Sequence, residues 1–124
     1  MDTLYHFTCD HGRRDIGTGN CLLLPFLHPW IGKKLIWLTS VATPDRQRTG
    51  LTMKYQGCDR MRFRYIVDDL THCRRWLDSP ERASLDEKLR DSFEVLEDGR
   101  QAACDEWWIS TQPIRARFDR SYQI

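Results

Sequence analysis

Three short stretches of this chain put residues able to do chemistry where strand geometry would hold them in rows. In LYHFT (4–8) the two-residue period of a strand sets His6 and Thr8 on one face and Tyr5 and Phe7 on the other. In KLIWLTS (34–40) Trp37 and Thr39 share a face, opposite Ile36 and Leu38. In EWWIS (106–110) Glu106 and Trp108 share a face, opposite Trp107 and Ile109. If the three faces converge, they enclose an imidazole, a carboxylate, hydroxyls and flat rings, a set suited to binding and orienting a small molecule. Each residue also has a plainer reading. A strand histidine is commonly a hydrogen-bonded structural group, WLTS can be a strand ending at solvent, and Glu106 can be a solvated edge charge.

The elements that must position these residues follow from pattern and turn chemistry. Asp10 reads as the cap of a short helix, HGRRDI, which Gly17 and Gly19 would end. Residues 18–33 read as an irregular apolar stretch punctuated by Pro25 and Pro29. KLIWLTS, rich in branched and aromatic residues, is a strong strand, and SVATPDRQRTG (40–50) a polar loop. LTMKYQG (51–57) and RMRFRYIVD (60–68) read as strands, with Met61, Phe63, Tyr65 and Val67 on one face of the second.

One helix is expected from Ser79 to Glu97, with Ser79 as cap, Pro80 first and Gly99 after its end. Its apolar stripe, Leu85, Leu89, Phe93 and Leu96, would pack on a sheet, leaving a charged outer surface. EWWIS and, after Pro113, IRARF (114–118) close the list of strands. The order predicts an α+β fold dominated by antiparallel strands. With no repeat, low-complexity tract or linker, residues 1–124 read as a single domain.

Composition agrees with a soluble globular protein, 40% hydrophobic and 30% charged. The net charge of +1 hides an asymmetry: residues 1–75 hold 12 Lys and Arg against 7 Asp and Glu, residues 76–124 hold 7 against 11. A basic first half suits an anionic partner such as a nucleotide or nucleic acid. Five cysteines with no CxxC pair, and no secretory-type leader, read as reduced thiols in a cytoplasmic protein. CLLLPFLHPWIG (21–32) is about half a membrane span and holds two prolines, so neither a transmembrane helix nor a membrane partner is expected. Cys9, His11, Cys58, His72 and Cys73 fit no common zinc spacing. Arg60, Arg62 and Arg64 fall on one strand face, which suits either a nucleic acid or simple solvation.

LYHFT, a short helix ending at Ile16 and Gly17, and then LLLP resemble the opening of the ADP-ribosyltransferase superfamily. The pattern looks most like the branch holding the tRNA 2′-phosphotransferases and the DarT-type toxins, whose first strand reads "YH-x-T". IWLTS resembles that branch's second strand, "V-H-L-S", and EWWISTQPI its late "E-x-L-V" strand followed by "p-I-p".

The resemblance implies two small, mostly antiparallel sheets around a cleft with flanking helices. It implies NAD as a substrate, with His6 and Thr8 at the adenosine-side ribose and Glu106 as the catalytic carboxylate. The family's nicotinamide-pocket motif has no clean equivalent here, where Trp37 is the nearest aromatic and Ser40 the nearest hydroxyl; Thr39 is also placed on the cofactor side, and Arg46 and Arg48 are candidates by position alone for the arginine that follows the first motif. The implied reaction transfers ADP-ribose to a macromolecular acceptor, nucleic acid or protein, and needs no metal. The alternative is a non-catalytic module on the same fold that recognises a nucleotide, nucleic acid or protein partner.

Overall fold

A computed structural model describes residues 3–17, 20–28, 31–43, 62–95, 99 and 102–122. Its strands are β1 (Leu4–Thr8), β2 (Asn20–Leu23), β3 (Phe26–His28), β4 (Lys33–Thr39), β5 (Phe63–Val67), β6 (Arg74–Arg75), β7 (Trp107–Ser110) and β8 (Ile114–Ser121), and alternating apolar residues make β1, β4, β5, β7 and β8. The helices are α1 (Asp10–Ile16), α2 (Pro80–Ala83) and α3 (Glu87–Glu94), with 3-10 turns at Trp76–Asp78 and Cys104–Glu106.

The fold is α+β, with antiparallel pairing at every described strand contact. The strands run in the order β2-β8-β5-β1-β4-β7-β6, with β3 also on β4. The two separate sheets expected from the sequence are therefore one connected sheet. Its halves nevertheless meet at a single residue pair, Tyr5 with Thr39. Beyond Tyr5, β1 pairs with β5 along its whole length, while the start of β4 pairs with β3 instead. Local contacts thus satisfy each strand's backbone and leave the two halves joined by a narrow neck.

Two cores lie on opposite faces. Leu4, Leu23, Ile36, Leu38, Tyr65, Val67, Ile114 and Ala116 form the first, with Ile16 of α1 packed against it. Leu35, Trp76, Leu85, Ala102, Cys104, Trp107 and Ile109 form the second, joined by Trp37 and Leu89. Leu4, Trp76 and Ile109 are 0% exposed, and each such side chain contributes ~1.5–3 kcal/mol by leaving water. Tyr65 also donates its hydroxyl to the carbonyl of Gly17, tying the end of α1 to β5. Gly17 closes α1 with φ of 91°, a left-handed conformation that needs no Cβ.

Several elements differ from expectation. The stretch 18–33 contains β2 and β3, because each finds an edge to pair with, β8 and β4 respectively. Helix α1 begins at Asp10, with Cys9 in the cap position. The long helix is broken in two. Ser79 caps α2, accepting from the Arg82 N–H at 3.1 Å with Pro80 in the first turn, as expected. The chain then turns, and the Asp86 carboxylate accepts the Leu89 N–H at 2.8 Å to start α3. A local cap competing with helix continuation is the physical cause of the break. Helix α3 ends at Glu94 with Val95 as its cap, so Gly99 does not end it. The strand expected over 51–57, and Leu96, lie outside the described residues. Among the described residues no helix is long and apolar enough to cross a membrane.

Candidate functional site

His6 stands at the neck between the half-sheets. Its pairing partner on β5 is Tyr65, so it shares the first-core face with Leu4, and its ring centroid lies 6.5 Å from that of Tyr65. The ring reaches toward β4, where Nδ1 lies 2.8 Å from the Trp37 carbonyl oxygen. A carbonyl can only accept, so Nδ1 carries the proton. Desolvation pulls the imidazole below its ordinary pKa near 6.5, against the opposing hydrogen bond to Trp37. At neutral pH His6 is therefore uncharged, with Nε2 as an acceptor of fixed direction.

Thr8 lies one turn of strand further along the same face, partly buried against α1. The approach is close: a Cβ on Gly12 would overlap Thr8 Oγ1 and sit 3.0 Å from Thr8 Cβ. The glycine is what lets the helix backbone reach the hydroxyl.

The row of Trp37 and Thr39 does not join His6. Trp37 pairs with Ile109 and Thr39 with Trp107 and Tyr5, all on the opposite face. Trp37 packs into the second core, its ring centroid 4.9 Å from that of Trp76 and 6.1 Å from that of Trp107. Thr39 is 5% exposed, and its hydroxyl accepts the Val41 N–H at 3.0 Å. Period-2 alternation sorted β1 and β4 correctly, but the relative facing of two strands depends on register, which a single sequence does not carry.

Glu106 closes the 3-10 turn that leads into β7 rather than starting the strand itself. Its backbone is held by the Ser40 N–H, which donates to the Glu106 carbonyl at 3.1 Å, and its own N–H donates to Ala103 at 2.9 Å. Ser40 and Glu106 thus meet at the ends of adjacent strands. Trp108, next but one after Glu106, packs on the first core, the face His6 occupies. With β4 between them, His6 and Glu106 stand two inter-strand spacings apart, ~10 Å of backbone. Arg46 and Arg48 lie outside the described residues.

Arg75 was not singled out by its sequence context. It pairs with Trp108 on β6 and donates to the Asp105 carbonyl at 3.1 Å, directly before Glu106. No pattern marks a two-residue strand, so only the fold reveals this neighbour. No group of three or more His, Cys, Asp or Glu able to hold a metal occurs among the described residues. The arrangement offers an acceptor nitrogen at His6 and a hydroxyl at Thr8 on the first-core face, with Glu106 in the turn at the head of β7. It can fix two separated parts of an extended ligand, and the carboxylate can stabilise positive charge that develops beside it. No family model, curated protein or solved structure matches the chain.

Proposed function

We propose that the chain transfers ADP-ribose from NAD to a macromolecular acceptor, nucleic acid or protein. One observation carries the reading: His6 is held as a neutral Nδ1–H tautomer at the neck of a split sheet, with Glu106 two strands away at the head of β7. A separation of ~10 Å suits a ligand with two riboses joined by a pyrophosphate better than one small group touching both side chains. His6 Nε2 would accept from a hydroxyl of the adenosine-side ribose, with Thr8 beside it, and the Glu106 carboxylate would face the nicotinamide ribose.

In this reading the bond between C1′ and the nicotinamide nitrogen breaks, and its electron pair leaves with neutral nicotinamide. The ribose carbon becomes oxocarbenium-like, and the Glu106 charge stabilises it more than the ground state. An acceptor nucleophile then forms a bond to C1′ and gives up one proton. Ser40 fixes the Glu106 backbone and so acts as a positioning residue. Trp37 and Thr39, taken up by the second core and by a turn, have no part in the site.

That same uptake favours the second reading, a module on this fold that binds a nucleotide without turnover. Calorimetric titration with NAD, alongside nicotinamide release, separates the two. The enzyme reading expects binding that His6→Ala abolishes, and release that Glu106→Gln lowers by about 10²–10³-fold. Binding without release supports the module, and no binding at all removes the nucleotide reading.

A further inference from the structure

Strand β8 carries Arg115, Arg117 and Arg120, all exposed. A register shift between Arg64 and Tyr65 in the β5–β8 pairing brings Arg120 to the same row as Arg115 and Arg117. Arg120 pairs with Arg64 and Arg117 with Ile66 on β5, while Arg115 pairs with Leu22 on β2. Because Phe7 pairs with Arg64 and Tyr5 with Ile66, this row lies on the face of the first half-sheet opposite to Leu4, His6 and the first core. Among the described residues no helix packs on that face: α1 adds Ile16 to the first core, and Leu85 and Leu89 serve the second.

The acidic groups on this face do not neutralise it. Asp119 is bound by Arg64, whose Nε donates to Oδ2 at 2.8 Å. Arg64 also donates to the Ala42 carbonyl at 2.6 Å, and its guanidinium lies 4.9 Å from the Tyr5 ring centroid and 5.9 Å from that of Tyr122. Arg64 is thus a fixed strut, held at the margin of the row with two partly buried aromatic rings. Asp68 reaches Arg117 at 3.5 Å, with both side chains more than half exposed, a pairing of little energetic weight. With Asp119 taken up by Arg64, the exposed charges that β8 presents here are the arginines at 115, 117 and 120.

We infer that this β5–β8 face is a binding surface for single-stranded nucleic acid, contacted through its phosphates by Arg115, Arg117 and Arg120. A sheet face bearing cations and flanking aromatic rings can track an unpaired backbone and leave rings for bases to meet. It does not fit a duplex groove, which takes a helix or a narrow ribbon. Leu22, 47% exposed, stands beside Arg115 on this face, so an anionic lipid surface is the competitor that the test must exclude. The surface lies on the other side of the sheet from His6, and the inference does not rest on the transferase reading.

The test is fluorescence anisotropy of the full chain with a labelled oligothymidylate of about twelve nucleotides, a length within the usual site sizes. Three phosphate contacts predict a log–log salt slope of about −2, so binding weakens about twentyfold between ~50 and ~200 mM salt. The triple variant Arg115→Gln, Arg117→Gln, Arg120→Gln should abolish both binding and slope while keeping the wild-type thermal midpoint. The corresponding triple lysine variant, which keeps the charges, should retain the slope. Glu106→Gln should bind like wild type, which separates this surface from the transferase site. The inference is overturned by an unchanged slope in the glutamine variant, by no binding at ~50 mM salt, by equal affinity for a duplex of the same length, or by displacement of the oligonucleotide by phosphatidylserine vesicles at matched charge.

Discussion

Glu94→Ala should be among the most destabilising single changes in this chain, although its sequence context marks it as one more charge on a helix surface. The Glu94 side chain is 6% exposed. It accepts from Trp76 Nε1 at 2.7 Å, from Arg82 Nε at 2.8 Å and from the Arg82 terminal nitrogen at 3.0 Å. Truncation leaves the indole N–H of a fully buried tryptophan unpaired, ~1–3 kcal/mol. It also orphans Arg82, whose side chain is 25% exposed and can regain water, placing that loss at the low end of the ~3–5 kcal/mol range for breaking a buried pair. The two losses overlap, and together they predict ~3–4 kcal/mol. A chain of 124 residues holds roughly 6–19 kcal/mol in all, so the change is a large share. Glu94→Gln keeps one acceptor oxygen and should lose ~2 kcal/mol.

The pH dependence gives a second readout. Burial pushes the Glu94 carboxyl up, but hydrogen bonds from Arg82 and Trp76 and the charges of Arg82 and Arg90 outweigh it, leaving the group below its ordinary value near 4.5. A carboxyl depressed on folding contributes stability that is present above its unfolded value and lost as pH falls through the folded one. Urea unfolding followed by tryptophan fluorescence should therefore show wild type losing stability below about pH 4.5 more steeply than Glu94→Gln. A Glu94→Ala loss under ~1 kcal/mol at neutral pH, with unchanged urea dependence, would refute the reasoning.

Two further outcomes follow from the site. The folded-state pKa of His6 is lowered, so protonation favours the unfolded chain. Its contribution is fully present above about pH 6.5 and is lost as pH falls from there through the folded value; His6→Gln should flatten that part of the urea-midpoint profile, and an unchanged profile would contradict the neutral assignment. Gly12→Ala should cost ~1–3 kcal/mol by overpacking Thr8, and adding Thr8→Ala should return most of it, measured as a non-additive double-mutant cycle in thermal unfolding.

Local pattern carried the elements and failed where neighbours decide. Alternation was enough for β1, β4, β5, β7 and β8, because each runs apolar residues to a core at every second position. The cap at Ser79 and the stop at Gly17 were legible for the same reason, since both are satisfied within a few residues. β2 and β3 were not legible. Their outward residues Leu22, Phe26 and Leu27 are 47%, 80% and 53% exposed, so no polar-apolar alternation announces them, and only the edges of β8 and β4 make them strands. The break between α2 and α3 was hidden by a helical stripe that runs across it, with Leu85 and Leu89 both reaching the second core.

The same distinction explains the site. His6 stands out as a polar residue within an apolar strand, and Glu106 as the charge directly before one. Trp37 and Thr39 look alike by that criterion, and the register of β4 against β1 and β7 sends them to the other face. The charged groups with the most partners, Glu94 with Arg82 and Asp119 with Arg64, carry no local mark at all, since a carboxylate destined for a buried pair is spelled like one destined for water. What the sequence does constrain is parity. Once β5 and β8 are paired, the buried row Phe63, Tyr65 and Val67 forces Arg64 to the far side, and Ile114 and Ala116 force Arg115 and Arg117 to join it. The outward placing of Arg115 and Arg117 therefore follows from burying the first core, whereas Arg120, which has the parity of Ile114 and Ala116, joins them only through the register shift between Arg64 and Tyr65 in the β5–β8 pairing.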